Sequence, residues 1–127
     1  MSKKRIFISF AIEDANLRDL LVGQVKNENS PFEFVDMSVK APWDYAWKTN
    51  CRRKIKGCDG MLIIVTKTTK NADGQLWEIN CAGEEDVPRL GIWGNSSNKP
   101  ATVPAELKHV KILNWTWTNI SNWLDSL

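Results

Sequence analysis

The apolar positions of this chain alternate between two spacings. Arg5 to Phe10 (Arg-Ile-Phe-Ile-Ser-Phe) is a short β-rich run. Leu17, Leu20, Leu21 and Val25 then recur at the spacing of one helix face, with Glu13 and Asp14 ahead of them, where carboxylates suit a helix N-terminus. Phe32 to Val35 predicts a second strand, ended by Asp36 and a loop carrying Pro42. Trp47, Cys51, Ile55 and Cys58 mark one face of a second helix, whose other positions hold Lys48, Arg52, Arg53, Lys54 and Lys56. Gly57 and Asp59-Gly60 interrupt that pattern. The purely apolar run Met61-Leu62-Ile63-Ile64-Val65 predicts a strand buried on both faces. A third helix comes next, with Leu76, Ile79 and Gly83 on one side, Glu78 and Ala82 on another, and Glu78 in its first turn. Pro88 to Trp93 and Val110 to Leu113 predict two more strands, joined by a Gly/Asn/Ser/Pro loop that lacks a full helical pattern. Trp117, Ile120, Trp123, Leu124 and Leu127 form a last amphipathic stretch, with Thr116 or Thr118 as its cap.

Strands alternating with helices imply a parallel sheet covered on both faces. Five strands in this length fit an α/β, flavodoxin-like three-layer sandwich of strand order 2-1-3-4-5, with residues 1–127 as a single domain. The order would reverse between strands 1 and 3, and open α/β sheets bind ligands at such a point. The crevice there would be lined by Ser9, Phe10 and Ala11 and by Thr66, Lys67 and Thr68, and bordered by the loop after strand 2 and the Glu78 helix.

Bulk properties narrow the field only a little. A formal net charge of +2 argues neither for nor against nucleic acid. The basic helix from Lys48 to Lys56 reads as a solvated face, and Glu84-Glu85-Asp86 denies it the further basic surface that nucleic-acid binding needs. The basic N-terminus is followed by too few apolar residues for a signal peptide, and no run is long enough for a membrane helix, so a cytoplasmic protein without membrane contact is expected. Cys51, Cys58 and Cys81 include no CxxC pair, and the one histidine, His109, is remote from them. That spacing predicts no metal site and three small buried thiols in a reducing compartment.

The crevice residues then exclude several chemistries. A flavodoxin-type phosphate loop is absent, because Phe10-Ala11-Ile12-Glu13-Asp14 offers two acids in place of a polar cradle. A receiver domain requires an aspartate ending strand 3, where this chain has Val65-Thr66. GxGxxG and P-loop motifs are missing, and His109 falls at the opposite end of the sheet from any nucleophile in the crevice. What remains is one carboxylate, Glu78, with aromatic neighbours. A lone carboxylate suffices where the leaving group needs no proton. Nicotinamide leaving the ribose of NAD is such a group, through an oxocarbenium-like transition state that a carboxylate stabilises. Structural readings compete at every position: Glu78 as a helix-dipole acid, Phe10 as core, Asp36 as a turn cap, Trp43 and Trp77 as packing residues.

The chain resembles the TIR family, and more closely its TIR-like branch in prokaryotic antiphage systems of the Thoeris type. The resemblance rests on Arg5-Ile-Phe-Ile-Ser-Phe10, Phe34-Val35-Asp36-Met37-Ser38, Ile55-Lys-Gly-Cys-Asp59, Leu76-Trp77-Glu78-Ile79 and Ile112-Leu113-Asn114-Trp115 with Asn119-Ile120, in that order along nearly the whole chain. It implies cleavage of NAD to nicotinamide and an ADP-ribose product, with NAD as substrate and no cofactor. The family's catalytic glutamate falls on Glu78, its first-strand loop beside the nicotinamide ribose on Phe10 and Ala11, and its loop after strand 2 on Asp36 to Trp43. Many members carry a bulky residue, often tryptophan, four positions before the glutamate. Here that position is Gly74, and Trp77 directly precedes Glu78. The expected partners are other TIR domains or further copies of the chain, and a separate effector reached through a nucleotide signal. A non-catalytic adaptor acting by assembly is the alternative.

Overall fold

A computed structural model describes residues 4–28, 32–37, 40–95 and 99–127. Five strands, β1 (Lys4–Ser9), β2 (Phe32–Val35), β3 (Gly60–Val65), β4 (Arg89–Trp93) and β5 (Ile112–Leu113), form one sheet of order β2-β1-β3-β4-β5. All four pairings are parallel. Among the described residues four α-helices connect or follow them: α1 (Ala15–Asn27), α2 (Tyr45–Lys56), α3 (Asp73–Glu84) and α4 (Trp117–Asp125). The expected strand order is therefore present, with its reversal between β1 and β3.

The apolar run of β3 explains why the sheet is built around it. Every residue of Gly60–Val65 is buried. The strand's two-residue period sends Met61, Ile63 and Val65 into a core with Phe7, Cys51, Ile55 and Ile79, beneath α2 and α3. Leu62 and Ile64 enter a second core with Ile6, Ile8, Leu21, Ile92 and Ile120, beneath α1 and α4. Gly60 lies under α4. A Cβ there would sit 2.9 Å from a ring carbon of Trp123, so the missing side chain lets the last helix close on the sheet.

Helix ends obey local chemistry. The Asp44 carboxylate accepts from Ala46 N at 2.9 Å to open α2, and Thr116 Oγ1 accepts from Asn119 N at 3.1 Å to open α4. Asp86, with φ of 56°, closes α3 in a left-handed conformation. Val87 N donates to Ala82 O and Asp86 N to Gly83 O, which satisfies the last carbonyls before Pro88 turns the chain into β4.

Several expectations are corrected. Glu78 is not in the first turn of its helix: α3 begins at Asp73, and Asp73 is the first-turn acid. α3 is buried on two sides, with Gln75, Glu78, Ile79, Cys81 and Ala82 all inside, because it is pressed between the sheet end and α2. Leu20 keeps the helical spacing yet is 63% exposed, while Leu21 and Val25 are buried. Cys58 lies beyond α2, its thiol donating to Lys54 O. β5 has two residues, because Val110 still donates to Leu107 O in the preceding turn. The fourth crossover, expected to lack a full helix, carries among its described residues a short turn of 3-10 helix, Ala105–Leu107.

Truncating the central strand should be costly. Ile63→Ala removes a fully buried side chain from the α2/α3 core, and an expected loss of about 2–5 kcal/mol would appear as a lowered denaturation midpoint with unchanged slope.

Candidate functional site

The sheet's carboxyl ends present Ser9 on β1 and Thr66 after β3. Ser9 shares the face of Phe7, so its hydroxyl points toward α3 rather than α1. There it donates to Glu78 Oε1 at 2.8 Å. Lys40, from the segment after β2, donates through Nζ to Glu78 Oε2 at 2.7 Å. The Cys51 thiol of α2 reaches the same oxygen at 4.0 Å. Glu78 has no exposed surface, and the Lys40 side chain is 7% exposed. The Lys40 ammonium also stands 4.2 Å from the centroid of the Phe10 ring.

Gly74 makes this arrangement possible. A Cβ at position 74 would lie 2.7 Å from Lys40 Cβ, so α3 carries glycine, a poor helix former, where the lysine stem crosses it. The bulky residue that the resemblance implies for this position is thus replaced by Lys40 in space.

Outside the ion pair lies a cavity of about 260 Å³, walled by Lys40, Trp43, Gly74 and Gln75 together with Ile12 and Glu13. Lys40 lines this cavity and Glu78 does not. Gln75 is buried, and its Nε2 donates to Ser9 O at 3.2 Å and Ile64 O at 2.8 Å, tying β1 to β3 at the reversal point. On the α1 side of the crevice Thr66 Oγ1 donates to Asp14 Oδ2 at 2.6 Å, which closes that corner.

The residues expected to bind substrate are not all brought together. Phe10 and Ala11 are at the crevice but fully buried, Phe10 in the α1/α4 core. Asp36 is half-buried and accepts from Arg18 Nη1 at 2.7 Å, so it faces α1. Trp43 is 80% exposed on the cavity rim. Trp77 points away from Glu78: it meets Trp47 edge-on at 5.4 Å, lies beneath the Arg52 guanidinium, and lines a neighbouring cleft that shares Trp43. Of the expected loop from Asp36 to Trp43, residues 38–39 lie outside the described residues, as do 96–98 of the long loop before β5. Sequence reasoning missed Lys40 and Gln75. The signal was Gly74, expected to end the loop before the helix and found inside α3, at the position where the resemblance implies a bulky residue.

Burial pushes the Glu78 carboxyl up to about 7, against the pull of the Lys40 ammonium and the Ser9 hydroxyl, with the Asp36 charge adding a smaller upward push. The carboxyl is thus poised between acid and base near neutrality, as a group in a working site often is. Burial also raises the Cys51 thiol, reinforced by Glu78, so that this sulfur is a poor nucleophile. Among the described residues no cluster of histidine, cysteine and acidic side chains is arranged to hold a metal, and no helix is long and apolar enough to cross a membrane.

The raised carboxyl has a sign-specific effect on stability. The folded chain holds this proton more tightly than the unfolded chain, so the contribution is complete below the ordinary value of 4.5 and is lost as pH rises through about 7. Its size is roughly 3 kcal/mol. Denaturant unfolding across that window should show wild type losing about this much relative to Glu78→Gln as pH rises; parallel pH profiles would contradict it.

Residues 7–99 match the family model described as Thoeris protein ThsB, TIR-like domain. No curated protein matches the chain by sequence. Among solved structures, the fold is similar to a prokaryotic SEFIR domain, with a TM-score of 0.59 and 18% identity over 98% of this chain and 95% of that one. At that identity the likeness speaks for the fold alone, and the family match speaks for descent. The chain belongs to the family of TIR-like domains of the Thoeris protein ThsB.

Proposed function

We propose that this protein cleaves NAD at the bond between nicotinamide and ribose and releases an ADP-ribose-derived signal in antiphage defence. The observation that carries the reading is Glu78, a buried carboxylate at the β1/β3 reversal, held by Ser9 and paired with Lys40, whose ammonium stands over the Phe10 ring. In this chemistry the bond between the ribose anomeric carbon and the pyridinium nitrogen breaks, and its electron pair leaves with neutral nicotinamide. Positive charge passes to the ribose, where a carboxylate without competing water acts most strongly. Water, or a nitrogen of the adenine ring, then bonds to the anomeric carbon; water loses a proton in doing so. NAD is the substrate, and no cofactor takes part. The product would act on a separate effector protein.

A second reading has its own support. Glu78 is sealed by an ion pair, and Trp43 and Tyr45, at 80% and 84% exposure, present an aromatic surface where α2 begins. A non-catalytic adaptor that binds other TIR-type domains through this surface would need neither an open Glu78 nor NAD.

NAD consumption by concentrated purified protein, with products resolved by mass spectrometry, separates the two. The enzyme reading expects nicotinamide release by wild type and a loss of roughly a hundredfold or more in Glu78→Gln. Equal turnover in a folded Glu78→Gln variant would remove Glu78 from the chemistry. If neither protein turns NAD over, survival of phage-challenged cells carrying Glu78→Gln or Trp43→Ala decides: the adaptor reading expects protection to survive the first change and fail with the second.

A further inference from the structure

We infer that the Lys40 ammonium is an internal competitor, occupying a cation site that the Glu78 carboxylate, the Ser9 hydroxyl and the Phe10 ring would otherwise offer to a positively charged ligand. The inference rests on the proposed function only for the identity of that ligand, the pyridinium end of NAD.

Three observations converge on it. The ammonium meets two groups that each attract cations, a carboxylate oxygen at 2.7 Å and an aromatic face at 4.2 Å. With Glu78 at 0% exposure and Lys40 at 7%, nothing can touch the carboxylate until the lysine withdraws. The space is also cut for the lysine, because Gly74 provides the only side chain at that position, a hydrogen, that avoids Lys40 Cβ. Lys40 meanwhile forms a wall of the cavity of about 260 Å³ that opens beside Trp43, so its withdrawal would join that cavity to Glu78.

Competition has a consequence that a purely structural ion pair lacks. A ligand entering this site must replace the positive charge it expels, since a buried carboxylate left without a cation is strongly disfavoured. Entry is therefore selective for charge: oxidised NAD carries a cationic ring and reduced NAD does not. The lysine holds the site closed until a cation of sufficient affinity, or a change in the segment that carries Lys40, displaces it.

The test uses the full chain and a probe that cannot be cleaved, the nicotinamide cation methylated on its ring nitrogen, with neutral nicotinamide as control, over a pH series rising from 7, because loss of Lys40 removes a pull that lowers the Glu78 carboxyl and lifts it further. Lys40→Ala should bind the cation about tenfold or more tighter than wild type by calorimetry, with no such gain for neutral nicotinamide, and Lys40→Ala/Glu78→Gln should lose the gain. Gly74→Ala leaves both charges in place but drives its new Cβ against the lysine stem, so it should show the same selective gain if Lys40→Ala does not fold. A folded variant of either kind that binds the cation no better than wild type, or gains equally for the neutral probe, overturns the inference. Selective cation binding without NAD cleavage in any variant would uphold the cation site and leave the NAD-cleaving reading to the phage-challenge assay. NAD turnover in Lys40→Ala several-fold above wild type would support both.

Discussion

A carboxylate with no access to water must find its partners inside the protein, and Glu78 draws them from around the whole α2/α3 side of the crevice. Ser9 comes from the end of β1, Lys40 from the segment after β2, and Cys51 from α2, while α3 carries the acid itself. Each partner constrains its element. Ser9 must fall on the face of β1 that looks toward α3, which the strand's alternation from Phe7 ensures. Lys40 must run along α3, which Gly74 allows. The carboxylate is thus the point at which the sheet, two helices and a connecting segment are held in register.

Such a pair is a weak source of stability. The desolvation of two charges offsets much of their attraction, and an apolar substitute of the same shape often does as well. Energetic reasoning therefore does not explain why an acid is buried here. Elsewhere in the crevice polar groups pair with uncharged partners: Asp14 accepts from Thr66, and Gln75 Nε2 spans the carbonyls of Ser9 and Ile64. At Glu78, by contrast, burial works against the lysine and the hydroxyl and leaves the carboxyl near the middle of its titration at neutral pH. A group held between its two states is suited to answer a change in its surroundings.

The surface around the site adds a different chemistry. Trp43 rims both clefts and Tyr45 stands nearby, while Arg52 is committed to Glu84 and Glu85 and covers Trp77. Trp43 and Tyr45 therefore stand exposed at the start of α2, while Trp47 and Trp77 pack at the joint between α2 and α3. A site with its entrance on one connecting segment can be coupled to whatever that segment touches, which gives assembly and chemistry a common physical path.

The sequence alone determined the sheet. Strand and helix periods are local, the apolar run Met61–Val65 had to be central because it is buried on both faces, and the alternation of elements led to the parallel order that the structure contains. It also located Glu78 near the reversal between β1 and β3, since topology fixes which strand ends meet there. Tertiary structure alone decided how that acid is held. The sequence separates Lys40 from Glu78 by a helix and a strand, and no local period reports where a connecting segment returns its side chains. The same holds for the aromatics: Phe10, Trp43 and Trp77 are equally apolar in sequence, yet one is core, one is exposed and one is locked against Trp47. Gly74 was legible only as a loop glycine standing where the resemblance implies a bulky residue; its place inside α3 and its contact with Lys40 are decided across the fold, because the space beside a glycine is set by whatever packs against it.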